Sequence, residues 1–416
     1  MSVHDRRRTR MRRREWLAGA GALFATAGRS AAAPREAGPG RLPGKADFPL
    51  AETRTYLNNA GYHPLSVGAA RAVGDYVERR TEGAKEPDWE VSAAVKREFA
   101  ALVNARPAAV SYVTSTMVGE NLVVAGLGIA KGGGNVVTDA LHFEGSLYLY
   151  GSLRERGVDV RIVRPRDWRI DLRDLEKAVD RNTRLVAVSQ VSYLNGFQHD
   201  LKAVADLAHA HGAYLYADVI QAAGAVPLDV TAAGIDFCAC ATYKWLMGDF
   251  GLGFFYVRED LLDRVLPRVH YGWRQFDQFE YHMLPGDRPG EFPATWRALG
   301  GAPGRFEMGT FSRTAEACLA HSLPLLRQIG VEAIQAHAQS LTVRLQKELP
   351  ALGFEPLTPP ESRSPITTFV VKDPEVVAAK LARARVEVKL EQHYMRVSPS
   401  VYNDQRDVDR LLEALG

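Results

Sequence analysis

Between residues 109 and 257 the chain alternates short apolar runs with helical patterns, and few folds accept that order. The runs cover residues 109–113, 135–139, 158–163, 184–191, 214–219, 235–241 and 251–257. Between them, segments such as 172–179 and 201–211 carry apolar residues at helical spacing. Strands alternating with helices build a mostly parallel sheet covered on both faces. The predicted class is therefore α/β, with a mostly parallel sheet of seven strands. Ligands of such sheets bind outside the carboxyl ends of the strands, so the loops after these runs are where chemistry is expected.

The flanks read differently. Residues 34–54 are rich in Pro and Gly and predict an extended arm, while 65–80 and 89–104 predict helices. Beyond residue 313, helices are expected over 314–328 and 331–349, and strands near 367–371 and 386–390. A last helix is expected over 404–415, with Asn403 as its N-cap. The expected organisation is a leader (1–33), an N-terminal arm (34–70), a large domain (71–310) and a smaller α+β domain (311–416).

The leader MSVHDRRRTRMRRREWLAGAGALFATAGRSAAAP has a basic start, a short apolar run and small residues, the layout of a secretory signal. Its Arg13-Arg14-Glu15-Trp16-Leu17 resembles a twin-arginine motif. This predicts passage through the twin-arginine machinery, cleavage near Ala32 and a periplasmic or secreted mature protein with no membrane segment. Eight Arg against one Asp and one Glu in residues 1–33 also skew the charge. Of 52 basic and 49 acidic side chains, 44 and 47 remain in the rest of the chain. A slightly acidic body without a basic stripe argues against nucleic acid as a partner. Cys238, Cys240 and Cys318 are too few for a disulfide framework. The C-x-C pair lies in a strand-like run, where buried strand cysteine is the plain reading, and no further metal ligands stand nearby.

Three constellations carry chemistry. Lys244, in ACATYKWLMG, follows an apolar run, and a poorly solvated lysine there would have a lowered pKa and a nucleophilic amine. Asp218 ends the run in YLYADVIQ, with Gln221 three residues on. A carboxylate at a strand end either caps a helix or holds the proton of a ring nitrogen in a bound cofactor. The turn TSTMVGEN (114–121) joins a strand to a helix start, where exposed amides and hydroxyls suit a phosphate.

In order and spacing these segments resemble the class V aminotransferase family of fold-type I pyridoxal-5′-phosphate (PLP) enzymes. That family includes cysteine desulfurases, isopenicillin-N-epimerase-like proteins and kynureninase. The resemblance runs from YLNNAGYHPL at Tyr56 to Leu415. It implies PLP held as a Schiff base on Lys244, with Asp218 at the pyridine nitrogen and Gln221 near the ring oxygen. It places Ser115, Thr116 and Met117 at the phosphate, with Thr242 or Tyr243 directed there too. RFEMGTFS matches a motif whose Thr310 reaches the phosphate of a partner subunit, so a homodimer with composite sites is implied. YMRVSPSVYN implies that Arg396 holds a substrate carboxylate, and the entry segment places Asn59 beside the substrate. Spacing favours His142 as the residue over the PLP ring, with Phe143 as the alternative. Tyr193 stands where many desulfurases have Asn, which leaves the contact to the ring oxygen open.

The substrate side is less determined. Desulfurases of the family carry a cysteine shortly before the C-terminal arginine motif, and residues 321–394 contain none. That argues against cysteine desulfurase, and Gln221 in place of His argues against kynureninase. The expected reaction is transamination at the α-carbon of an amino acid or amino-acid-like metabolite. A lyase, an epimerase or a peptide- or siderophore-tailoring enzyme is the alternative. Residues 269–297, aromatic and broken by Pro and Gly, read as a loop. His270, Tyr271, Trp273 and Arg274 in it are candidate substrate contacts, with a packed dimer-interface loop as the other reading.

Overall fold

The computed structural model describes residues 41–84, 89–262 and 264–416. The leader and the first part of the arm lie outside the described residues. The arm's described part is not fully extended. It holds a 3-10 turn (Lys45–Asp47) and a short helix (Leu50–Thr53), pinned by Phe48, which is buried against Tyr402 with ring centroids 4.5 Å apart. Strand β1 (Thr55–Tyr56) comes next.

All seven predicted strands form: β2 (Val110–Val113), β3 (Asn135–Asp139), β4 (Asp159–Val163), β5 (Thr183–Ser189), β6 (Tyr214–Asp218), β7 (Phe237–Ala241) and β8 (Gly253–Val257). They make one sheet in the order β2-β8-β7-β6-β5-β3-β4. Strand β8 is antiparallel to both neighbours, and the other pairs are parallel. The carboxyl ends of β2, β3, β5, β6 and β7 therefore share one edge.

Alternation of side chains across the strands explains why the runs are apolar throughout. In β5, Val186 and Val188 enter one core with Val95, Phe99, Val204 and Ala208 from helices Trp89–Leu102 and Leu201–Ala210. Leu185 and Ala187 enter the other, with Leu122, Val123, Tyr150 and Leu153 from helices Thr116–Gly126 and Glu144–Glu155. Both faces are covered, as a parallel sheet requires. Helix Thr116–Gly126 packs closely: a Cβ at Gly119 would stand 2.6 Å from Ala239 Cβ. Only glycine lets this helix start so near the strand ends.

The segment expected as a loop is instead a 3-10 turn (Trp273–Gln275) and a hairpin of β9 (Phe276–Tyr281) and β10 (Ala294–Ala298). Its Pro and Gly residues fall mainly in the long turn. Phe279 and Trp296 stack across the strands at 6.4 Å and 11°, a pairing that stabilises a ladder.

A third core belongs to the C-terminal part. Strands β11 (Thr367–Val370), β13 (Lys389–Leu390) and β14 (Tyr394–Val397) pair in the order β11-β14-β13, while β12 (Val386–Glu387) pairs in parallel with β1. Met395 and Val397 join Leu57, Phe369, Leu345 and Leu411 in this core. Arg396, one residue out of phase, is thereby turned to the opposite face. The last helix (Gln405–Leu415) is capped by Asp404, whose carboxylate accepts from the N–H groups of Arg406 and Asp407. Asn403, expected as the cap, is buried instead with its side chain bonded to Tyr56 O and Asp407.

Candidate active site

The shared strand edge closes around a recess lined by Ser115, Thr116, Met117, Phe143, Ser189, Tyr193, Asp218, Ile220, Gln221, Ala241, Tyr243 and Lys244. Five loops thus bring together residues separated by more than a hundred positions.

Lys244 is 8% exposed, and burial pulls its amine down to about pKa 8, against the raising effect of Asp218. Desolvation penalises the ammonium and leaves a larger neutral, nucleophilic fraction near neutrality. Asp218 ends β6, accepts from the N–H of Ile220 at 2.9 Å, and is raised by burial to about 6, with His142 acting in the opposite sense. Gln221 accepts from Trp245 Nε1 at 2.8 Å and donates to Ala60 O at 3.0 Å. One of its two amide hydrogens is left for the recess.

At the start of helix Thr116–Gly126, Ser115 Oγ accepts from Val118 N and Thr116 Oγ1 accepts from Ala241 N. Each hydroxyl keeps its own hydrogen to donate, and the first amides of the helix have no intrahelical partner. Together with the dipole, this arrangement could hold a phosphate. Thr242 does not contribute to it: it is fully buried and bonded to the carbonyls of Asp249 and Leu252. Tyr243, stacked on Phe250 at 4.4 Å, is the member of that pair that lines the recess.

Of the two ring-stacking candidates, Phe143 lines the recess and His142 does not. His142 is 1% exposed and bonded to Ser189 and Glu120. Phe143 is braced edge-on by Tyr193 at 5.4 Å and 78°. Spacing alone could not separate neighbours at a helix start. Tyr193 donates its hydroxyl to Glu144 at 3.2 Å and accepts, at its carbonyl, from Arg396 at 2.7 Å.

Arg396 borders the recess through that contact. The residue is 3% exposed, and its guanidinium is lowered by burial to about pKa 10 and bonded to the neutral oxygens of Tyr193 and Asn58. Its Nε has no partner among the described residues. A buried cation without a carboxylate, carrying an orphaned N–H, is a site built for an anion from outside.

Asn59, the expected substrate contact, is structural. It is fully buried and bonded to Ser398 O, Asn403 and Tyr402. Asn58 is the residue that reaches Arg396, and alternation along an extended segment accounts for the one-place error. Trp273 is half-exposed and, like Arg274, absent from the recess wall. Arg274 is buried, paired with Glu307 at 3.1 Å and laid over Trp89 at 4.6 Å. Thr310 is exposed and lies away from this chain's recess. Glu120, Asn58 and Ser189 were not foreseen. The one signal in the sequence was Glu120, a carboxylate on a mostly apolar helix.

The residues fit PLP. A lowered amine, a carboxylate for the ring nitrogen, an aromatic face, a phosphate cradle and an unpaired arginine surround one recess.

The family model for aminotransferase class-V matches residues 76–411. A probable cysteine desulfurase of Methanothermobacter thermautotrophicus is 29% identical over 343 residues, covering 80% of this chain and 82% of the relative. Among solved structures, an apo cysteine desulfurase from Thermococcus onnurineus superposes with a TM-score of 0.77 at 23% identity, covering 90% of this chain and 97% of that one. A cystine C–S lyase in complex with its product cysteine persulfide gives 0.76 at 21%, covering 88% and 98%. These likenesses overturn the exclusion of cysteine desulfurase. That exclusion rested on one missing cysteine, whereas relatives alike over most of the chain bear that name. With the motifs, the fold and the recess in agreement, the chain belongs to the class V aminotransferase family of fold-type I PLP enzymes.

Proposed function

We propose that this enzyme uses PLP on Lys244 to cleave the carbon–sulfur bond of cysteine or a cysteine derivative. The observation that carries the amino-acid part is Arg396, a buried guanidinium beside the recess with no paired carboxylate among the described residues. The sulfur part is supported by the relatives named as desulfurases and by the C–S lyase of the same fold.

PLP supplies an electron sink for charge developing at the substrate α-carbon. The protein's residues decide which bond breaks and where the proton goes. Asp218 holds the proton on the ring nitrogen, which its buried carboxylate can do only while ionised. The neutral Lys244 amine takes the α-proton. Arg396 binds the carboxylate and fixes which bond at the α-carbon faces the ring. Phe143, braced by Tyr193, would cover the ring and exclude water. With the Cβ–S bond broken, sulfur leaves either to a thiol acceptor, giving alanine, or as sulfide or persulfide, giving pyruvate and ammonia after water adds. Cys238 and Cys240 lie in β7 and Cys318 in helix Arg313–Ile329, all buried and none lining the recess. The thiol acceptor is therefore proposed to come from another molecule.

Two properties remain proposals. The site is read as shared in a homodimer, with Thr310 serving the neighbour's phosphate; sedimentation should give a dimer, and a monomer with full PLP occupancy would contradict it. Twin-arginine export is proposed from the leader. Arg13→Lys with Arg14→Lys should abolish export, and a mature protein that keeps its first residues in the cytoplasm would exclude it.

The reaction is tested by supplying cysteine and cystine separately, with and without dithiothreitol, and measuring alanine, pyruvate and sulfide. Release of alanine or pyruvate in step with sulfur is expected. Stoichiometric conversion of the cofactor to its amine form, with no sulfur released, would show transamination instead. Arg396→Ala is expected to raise KM for an α-amino acid by about 100- to 1000-fold, as for a buried charge deprived of its partner, with PLP still bound. Arg396→Lys should restore little, because an ammonium lacks the two-point fork.

A further inference from the structure

Beneath the recess lies a buried carboxylate that the proposed reaction does not use. Glu120 is 0% exposed and receives three bonds: from Ser146 Oγ at 2.6 Å, Tyr150 OH at 2.8 Å and His142 Nε2 at 3.1 Å. A carboxylate so far from water must be neutral or paired. Three donors are directed at its two oxygens. Among the described residues, its paired cation is His142.

The imidazole then carries a proton on each nitrogen. Its Nε2–H meets Glu120, and its Nδ1–H is left to donate to Ser189 Oγ, 2.8 Å away. The groups around His142 agree with that state. Burial is the largest single influence and disfavours its charge, but Glu120, Asp218 and Asp139 together outweigh burial and raise the pKa. Asp139 is itself bonded to His199 at 3.1 Å, and the Tyr150 ring lies 6.3 Å from the imidazole.

A hydroxyl that accepts from an imidazolium sends its own hydrogen elsewhere. Ser189 ends β5, pairs in register with Asp218 on β6 and lines the recess. Strand β5 lies on the side of β6 away from β7 and β2, hence away from the phosphate cradle. The geometry points to Ser189 as a hydrogen-bond donor, its direction fixed by the Glu120–His142 pair, toward an anionic oxygen on the ring of the bound cofactor. Ser189 makes the contact; His142 and Glu120 are positioning residues that act through it. This rests on the cofactor reading and is independent of which substrate is turned over.

The donor shares the negative charge of the oxygen it meets. Without it, the neighbouring nitrogen on the cofactor holds its proton more tightly. In Ser189→Ala loaded with PLP, the pH midpoint of the cofactor's absorbance change should rise by about one unit, roughly tenfold in proton affinity for one neutral hydrogen bond. Ser189→Thr should return it close to the wild-type midpoint. Glu120→Gln, which alters no residue of the recess wall, should move it upward too. An unchanged midpoint in Ser189→Ala with PLP fully bound would overturn the assignment. Replacing a buried charge can prevent folding, so the wild-type apoprotein provides a second test that needs no Glu120 variant. Nitrogen-15 NMR with labelled histidine, assigned by His142→Gln, should show both ring nitrogens of His142 protonated at pH 7. A single-proton imidazole there would equally overturn it, whatever reaction the enzyme performs.

Discussion

Removing a charged group from water costs several kcal/mol unless something nearby replaces the lost solvation. The recess concentrates that cost at one sheet edge. Lys244, Asp218, Arg396, His142 and Glu120 are all nearly or fully buried there. Each is tolerated because a rigid element fixes what surrounds it. Glu120 lies 3.1 Å from His142 Nε2, and Asp218 is opposed by His142 and Lys244. Lys244 sheds part of its charge. Arg396 is the exception: among the described residues its guanidinium is bonded to neutral oxygens. The two-sided cores make this possible, because helices packed on both faces prevent the strand ends from shifting to let water in.

How much of this could be read in the sequence depended on the period of the signal. Seven apolar runs separated by helical patterns were legible because each strand of a doubly covered sheet is apolar on both faces. The carboxyl-end rule then put the loops holding Lys244, Asp218 and Ser115 at one edge from the sequence alone. The hairpin Phe276–Ala298 was not legible. Its stability comes from aromatic pairs across strands, a contact between residues about twenty apart that no local window contains. Strand Tyr394–Val397 was likewise read only as a motif around Arg396, although the apolar Met395 and Val397 flanking it explain why the arginine points away from the core.

At the site, the errors were mostly of one residue. Asn58, not the expected Asn59, reaches Arg396, and of His142 and Phe143, which were weighed together, Phe143 lines the recess. Thr242 was weighed beside Tyr243, which lines the recess. In extended chain, adjacent side chains face opposite ways, so a motif fixes the neighbourhood and the backbone phase decides the residue. Arg274 failed for another reason. Its guanidinium found Glu307 and the ring of Trp89, partners that lie far from it in sequence. The exclusion of cysteine desulfurase failed because one absent cysteine was given more weight than the similarity of the whole chain.

The chemistry depends above all on Lys244 being the amine that holds the cofactor. Borohydride reduction of the PLP-loaded protein, with peptide mass spectrometry of the product, tests this directly. Reduced PLP is expected on Lys244 alone. Capture of PLP by the apoprotein should also accelerate with pH around a midpoint of about 8, where burial places the amine. Reduced PLP on any other lysine, or a midpoint at the ordinary value for an exposed lysine, would contradict it.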